Sequence, residues 1–314
     1  DWLMRGVNSG NKQRADYGRG EYQIDAPDFM LTPEAMTKHL RQTLVSPNYK
    51  PPLLPSIALE LMKVTRQPGV SLVEVRKLLE RDPLLAAKVL QIAQSALYSR
   101  GSPVRSLHDA ISLLGLRTLA DLFLQTVLSM RVFRADGYDG PMGMLMQHSM
   151  VVAHIARLAC RMTALPDEYA FMCGLLHDAG MAAGLLIFAD SQGPLSSRDG
   201  ARAKPAPPNY DEVSAALYAV HEEASAILAD AWKLNPDIKF VIGSHHHLRG
   251  SGGRIHPLAA VVCVSDWIAS EAGAAMGSES DFMQAEMASK ELRFTKANLT
   301  ELSAKAREIL ELSA

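Results

Sequence analysis

Cysteine is scarce in this 314-residue chain: Cys160, Cys173 and Cys263 lie far apart and form no Cys-x-x-Cys pair. That argues against a disulfide framework and fits a reducing compartment, so a cytoplasmic location is expected. Charge bias is missing as well. Lys and Arg number 32 against 34 Asp and Glu, so net charge gives no electrostatic reason to expect DNA or RNA as a partner. No uninterrupted apolar run approaches the roughly 20 residues of a membrane helix, and the opening stretch, DWLMRGVNSGNKQRADYGRGEYQ, is polar rather than signal-like. No membrane attachment is therefore expected. An initial methionine is lacking too: the chain begins at Asp1, and a longer protein with a domain upstream is expected.

What the sequence has in quantity is helical pattern. Residues 1 to about 30 are rich in Gly, Arg and Asp without apolar periodicity and read as a linker. A helix then opens at LTPEAMTKHLRQTL, with Thr32 as N-cap, Pro33 in the first turn and Glu34 near the positive end of the dipole. Apolar residues recur at three- and four-residue spacing through SLVEVRKLLERDPLLAAKVLQIAQSAL, through SLHDAISLLGLRTLADLFLQTVLSMRVF and on to the C-terminus. No stretch sustains strand alternation, so an all-α fold is expected.

Two stretches punctuate the pattern. RADGYDGPMG (134–143) carries three glycines and a proline and is the best internal boundary. SQGPLSSRDGARAKPAPPNY (191–210) reads as a long loop, expected to be a mobile flap. The expected organisation is a linker and helix over 1–44, a helical lobe over 45–139, a second helical lobe over 140–280 and amphipathic helices over 281–314. Those last helices could cap the fold or dock on a partner.

The histidines of the second lobe fall on the apolar faces. In MQHSMVVAHIARLA, His148 precedes Val151 and Val152 by three and four residues and shares their face. His154 lies roughly 120° away, given about 100° per residue, and is expected at the surface or a boundary. GLLHDAG ends an apolar run with His177 and Asp178, closed by Gly180. His221 falls inside the stripe Val213, Leu217, Val220, Ala224, Ile227 and Leu228. A helix from Pro236 with Ile238, Val241 and Ile242 inward brings His245 and His246 to the inner face one turn later, with His247 facing away. In HPLAAVVCVSDWIAS, Asp266 stands one turn past Val262.

Singly, each of these is most simply a hydrogen-bonded core residue or a helix cap. Together they direct several imidazoles and carboxylates into one interior, and a metal is the most economical compensation for so many buried polar groups. The donors are nitrogen and oxygen with no thiolate, a set that suits iron, manganese, zinc or nickel.

The order His148, His177–Asp178, Asp266 resembles the H…HD…D pattern of HD-domain metal-dependent phosphohydrolases. A more specific resemblance, over about residues 45 to 270, is to HDOD domains. Their helical half shows a Leu-Pro start, an Asp-Pro before a Leu-rich helix, an Asn-Ser-Ala-x-Tyr ending and an Ala-Ile-x-x-Leu-Gly helix. Here Asp82, Pro83, Leu90, Ser95, Ala96, Tyr98, Ala110, Ile111, Leu114 and Gly115 fill that pattern, with Gln94 where Asn is usual.

The resemblance implies a bacterial signalling output module, acting through a protein partner or an upstream sensory domain, or through binding a cyclic dinucleotide or nucleotide. His221, His245 and His246 stand where the related HD-GYP cyclic-di-GMP phosphodiesterases place the extra ligands of a two-metal centre. It thus also implies one or two divalent transition-metal ions, held by His148, His177, Asp178 and Asp266 and by His221, His245 and His246. Asp178 would bridge them and be the catalytic carboxylate if the site turned over a cyclic dinucleotide or nucleotide. Two departures oppose turnover. Active HD-GYP enzymes have a lysine where this chain has Met181, and the GYP motif is absent, the Gly-Tyr of RADGYDGP lying before His148. Arg249 or Arg254 is the expected substitute cation if turnover survives.

Overall fold

The protein is described by a computed structural model that covers residues 32–65, 69–99, 104–190, 206–250, 252–276 and 282–313. The expected linker over 1–30 lies outside the described residues. Those described are helical, with one isolated antiparallel bridge, Arg249 to Ile255, and no strand among them.

Helix α1, Pro33–Leu44, starts as its sequence dictates, with the Thr32 hydroxyl accepting from the N–H of Ala35. The first lobe follows with α2 (Ser56–Val64), α3 (Leu72–Leu79), α4 (Pro83–Ala93), the single turn α5 (Ala96–Ser99) and α6 (Leu107–Arg131). A capping box of Ser71 and Glu74 opens α3. Helices α2, α3 and α4 pack on α6, which breaks at Gly115, where φ is +75°. Gln94, between α4 and α5, reaches the α5–α6 connection, its side-chain amide donating to the carbonyl of Val104 at 2.7 Å.

The second lobe is built from α7 (Asp139–Thr163), α8 (Ala170–Leu176), α9 (Ala179–Asp190), α10 (Tyr210–Ala231), α11 (Pro236–Ile242) and α12 (Pro257–Ala269), which runs into a π-helical turn, Ser270–Ala274. Helix α7 packs on α8 and α12, and α9 on α10. The end helices α13 (Phe282–Glu291) and α14 (Lys296–Ser313) cap this lobe, α13 against α12 and α14 against α7. Helix α1 also joins it, lying on α10, where Arg41 donates to Glu223 and to the carbonyl of Ala219, each at 3.2 Å.

By length and composition Leu107–Met130 and Ala170–Asp190 are apolar enough to cross a membrane, which a scan for unbroken runs passes over. The second is two helices with a polar joint, and 94% of its apolar window is buried within the protein. The first is α6, on which α2, α3 and α4 pack and whose apolar window is 56% buried.

Of the stretch expected to be a flap, residues 191–205 lie outside the described residues. Its last residues are fixed structure: the Tyr138 hydroxyl donates to the carbonyl of Pro208 at 2.6 Å, and Asn209 caps α10.

The lobes meet at a polar contact. The Tyr98 hydroxyl of α5 lies 2.8 Å from Nε2 of His154 on α7, and the His154 ring stands edge-on to Phe171, centroids 5.1 Å apart. Arg157, one turn on, lies over Phe171 and pairs with Asp121 of α6. His154 thus sits at a boundary that the first lobe covers, and burial pushes its pKa down to about 4.

Candidate metal centre

The second lobe positions its polar residues by packing. On α7 the side chains of Val151, Val152 and Ile155 are fully buried, and His148, on the same face, is 2% exposed. Every residue of α8 is buried, so the joint that follows, His177–Asp178, is carried into the interior. Gly180 does not close a helix here. It lies in the first turn of α9, and a Cβ on it would stand 2.0 Å from the carbonyl oxygen of His221. Glycine at that position lets α10 press against the joint. Ser225 of α10 completes the clamp, accepting from the Gly180 N–H at 2.9 Å and donating to the His177 carbonyl at 2.8 Å.

The remaining residues arrive from α10, α11 and α12. His221 and Asp266 project inward from α10 and α12 as the periodicity implies. His245 and His246 do not continue a helix as expected. Helix α11 ends at Ile242, Gly243 caps it, and both histidines come from the loop beyond. His245 is fully buried, His246 half-buried and His247 exposed.

Two clusters result, joined by one carboxylate. In the first, Nε2 of His148 lies 3.2 Å from Nε2 of His177 and 3.2 Å from Oδ1 of Asp266. Oδ2 of Asp178 is 3.4 Å from His177 and 3.8 Å from His148. In the second, Nε2 of His221 and of His245 are 3.3 Å apart, and lie 3.6 and 3.5 Å from Oδ1 of Asp178. His246 brings a ring nitrogen within 4.8 Å of both. Asp178 therefore faces one cluster with each oxygen.

The other ring nitrogen explains what these contacts mean. Nδ1 of His148 is bonded to the carbonyl of Ala274 at 2.8 Å, that of His177 to Gly174 at 2.8 Å, and that of His221 to Tyr218 at 2.7 Å. Nδ1 of His245 meets the carbonyl of Ile242 at 3.3 Å. A carbonyl only accepts, so each Nδ1 carries a proton, and each ring in its neutral form turns a bare Nε2 lone pair inward. With both rings neutral, the His148 and His177 nitrogens 3.2 Å apart have no hydrogen to share. A cation between them resolves the contact, and a backbone carbonyl on the far nitrogen is the usual orienting partner of a metal-bound histidine. Donors about 2.1 Å from a tetrahedral ion stand about 3.4 Å from one another, which matches the spacings in both clusters. The residues fit one metal ion per cluster.

Electrostatics agree. Burial alone would raise the Asp178 carboxyl, but His177, His245 and His221 around it hold it well below the ordinary carboxylate range. Burial pushes His177 down, and pushes His245 down to about 3 with His246 adding to the effect, so protons do not fill these sites near neutrality. His148 is the exception: burial would lower it, but the bond to Asp266 and the charges of Asp266 and Asp178 override that and favour a proton on it, which an ion at this nitrogen would have to displace. Among the described residues, the ion pairs of Asp178 and Asp266 are with imidazoles alone. Met181 is fully buried on α9. The Arg249 guanidinium donates to the carbonyl of Gly253 and lies 3.9 Å from the Met287 sulfur, so it is engaged toward α13.

Sequence reasoning missed the Ala274 carbonyl, Ser225 and Glu222 as supports of the histidines. Only Ser225, on the inner face of α10 one turn past His221, left a signal that periodicity could have used.

The HDOD domain family model matches residues 52–248. An uncharacterized protein of Treponema pallidum (strain Nichols) is 26% identical over 219 residues, which are 68% of this chain and 41% of that protein. The chain thus spans about two fifths of the length of the curated relative it matches. A crystal structure from Shewanella amazonensis SB2B, whose name proposes a metal-dependent phosphohydrolase, superposes with a TM-score of 0.63 at 16% identity, over 88% of this chain and 99% of that one. Another, from Marinobacter aquaeolei VT8, whose name proposes a signal transduction protein, gives 0.62 at 19% identity, over 89% and 64%. At these identities the two structures speak for the fold.

Proposed function

Because the chain belongs to the HDOD domain family, we propose that it is a metal-supported signalling module of a bacterial cytoplasm, acting by binding a protein partner or an attached sensory domain. The observation that carries this is the surroundings of Asp178: four imidazoles gather at its two oxygens, while Met181 fills the core beside it with no charge. His148, His177, Asp178 and Asp266 would hold one ion, with His221, His245 and His246 completing a second position across Asp178. Iron, manganese, zinc and nickel all suit these donors. Three free, buried cysteines support a reducing compartment.

A second reading, supported by the completeness of the ligand set, is a phosphohydrolase acting on a cyclic dinucleotide or nucleotide. Metal in such a site supplies a water of lowered pKa and charge compensation for a phosphoryl group. The chain's own part would be to hold that site rigid: Ser225 fixes the joint, Asp178 shares its oxygens between the clusters, and the Ala274 carbonyl orients His148.

Turnover of cyclic dinucleotides by manganese- or iron-loaded protein, with Asp178→Ala as control, separates the two readings. No product from metal-replete protein is the expected result. Turnover of about one per second, abolished in the variant, would make it an enzyme.

A further inference from the structure

His245 and His246 occupy a loop, where no helical hydrogen bonds hold them. Besides the contact of Nδ1 of His245 with the Ile242 carbonyl, what ties this loop to α10 is one carboxylate, that of Glu222, the residue after His221. Its Oε1 accepts from the backbone N–H of His246 at 2.7 Å and its Oε2 from Nδ1–H of His247 at 2.6 Å. Oε1 also lies 3.8 Å from Nδ1 of His245, and the side chain is only 14% exposed. Gly243 permits this approach, since a Cβ there would stand 2.9 Å from the Cβ of Ala226, one turn past Glu222 on α10. His247 is 82% exposed and grips the carboxylate from the solvent side. Adjacent residues on a helix point about 100° apart. His221 therefore enters the centre while Glu222 reaches the loop, and none of Glu222's partners belongs to the first cluster.

We propose that Glu222 is a positioning residue that governs the second metal position alone, by holding His245 and His246 against His221. The proposal rests on the reading of the site as two metal positions. Without the carboxylate the loop loses two anchors, and the second position empties while His148, His177, Asp178 and Asp266 keep their ion.

The test is elemental analysis and cobalt(II) titration of the full chain as wild type, Glu222→Ala, Glu222→Gln and Glu223→Gln. The last is an exposed control with the same change of charge, its residue pairing with Arg41 instead. Wild type and Glu223→Gln are expected to bind two ions. Glu222→Ala should bind one, with the cobalt absorption of one position lost. Glu222→Gln keeps the volume and one acceptor, and its second ion should bind roughly 10- to 100-fold more weakly. Should Glu222→Ala fail to fold, Glu222→Gln decides. Two ions of unchanged affinity in the Glu222 variants would overturn the role of Glu222 and leave the two-position reading standing. One ion or none in wild type would overturn both.

Discussion

His148 and His177 turn Nε2 toward Nε2 at 3.2 Å while each gives Nδ1 to a backbone carbonyl. With both rings neutral the arrangement sets two lone pairs against each other where a hydrogen bond would otherwise lie, and it implies that the centre is stabilised by whatever cation fills it. Protein purified without chelator is expected to carry transition metal, and EDTA should lower its thermal midpoint. A ligand present at 100 to 1,000 times its dissociation constant stabilises the folded state by about 2.7 to 4.1 kcal/mol. His177→Ala should lose the first ion, and Asp178→Ala both, because Asp178 alone faces the two clusters. A chelator-insensitive melting curve, with no metal by elemental analysis, would show that the histidines are ordinary core.

Gly180→Ala should be among the most damaging single-methyl changes in the chain. The added carbon meets the backbone oxygen of His221 at 2.0 Å, so α9 and α10 must part. Overpacking of this kind costs about 1 to 3 kcal/mol. Gly140→Ala, where a Cβ meets nothing within 4 Å, is the control and should change stability by less than about 0.5 kcal/mol in denaturant unfolding.

His154 predicts an acid-sensitive joint between the lobes. Its pKa falls from 6.5 to about 4 on folding because burial disfavours the imidazolium. Between those values the unfolded chain binds the proton and the folded one does not, so stability drops as pH falls from about 6.5 to 4 and is unaffected above that window. The full loss is about 3 kcal/mol. His154→Asn should make this part of the stability curve shallower in chelated protein, where His177 and His245, also lowered by burial, account for the slope that remains. An unchanged slope would mean that His154 is not the titrating group.

Catalysis is expected to be weak or absent even with metal bound. Removing one electrostatic stabiliser of a developing charge costs roughly 2.7 to 4 kcal/mol, a hundred- to thousandfold in rate. Met181→Lys should not restore it, because position 181 is fully buried and an unpaired ammonium there would destabilise the fold. Gain of cyclic-dinucleotide turnover by a stable Met181→Lys protein would contradict both points.

The helical fold was legible because its periodicity is strong: Met36, Leu40 and Leu44 face the core of α1 as the pattern requires. So was the inward set of His148, His221 and Asp266, which lie on helix faces that apolar neighbours mark. What periodicity could not give is anything set by another element. It extended α11 past Gly243, where the chain turns out of the helix to place His245. It left His154 at an undefined edge, since Tyr98 arrives from a distant stretch. It took Gly180 for punctuation, when the reason for glycine there is the backbone of α10.

The inward donors are spread along the chain from His148 on α7 to Asp266 on α12, and the Ala274 carbonyl that orients His148 lies later still. During synthesis, no nascent chain shorter than that span possesses the first cluster, whereas the first lobe can pack on α6 long before. On the reading proposed for the centre, its first position is therefore the last to be completed in biogenesis, and a truncation within or before α12 would remove Asp266 or the Ala274 carbonyl while Asp178, His221, His245 and His246 of the second position remain in the chain.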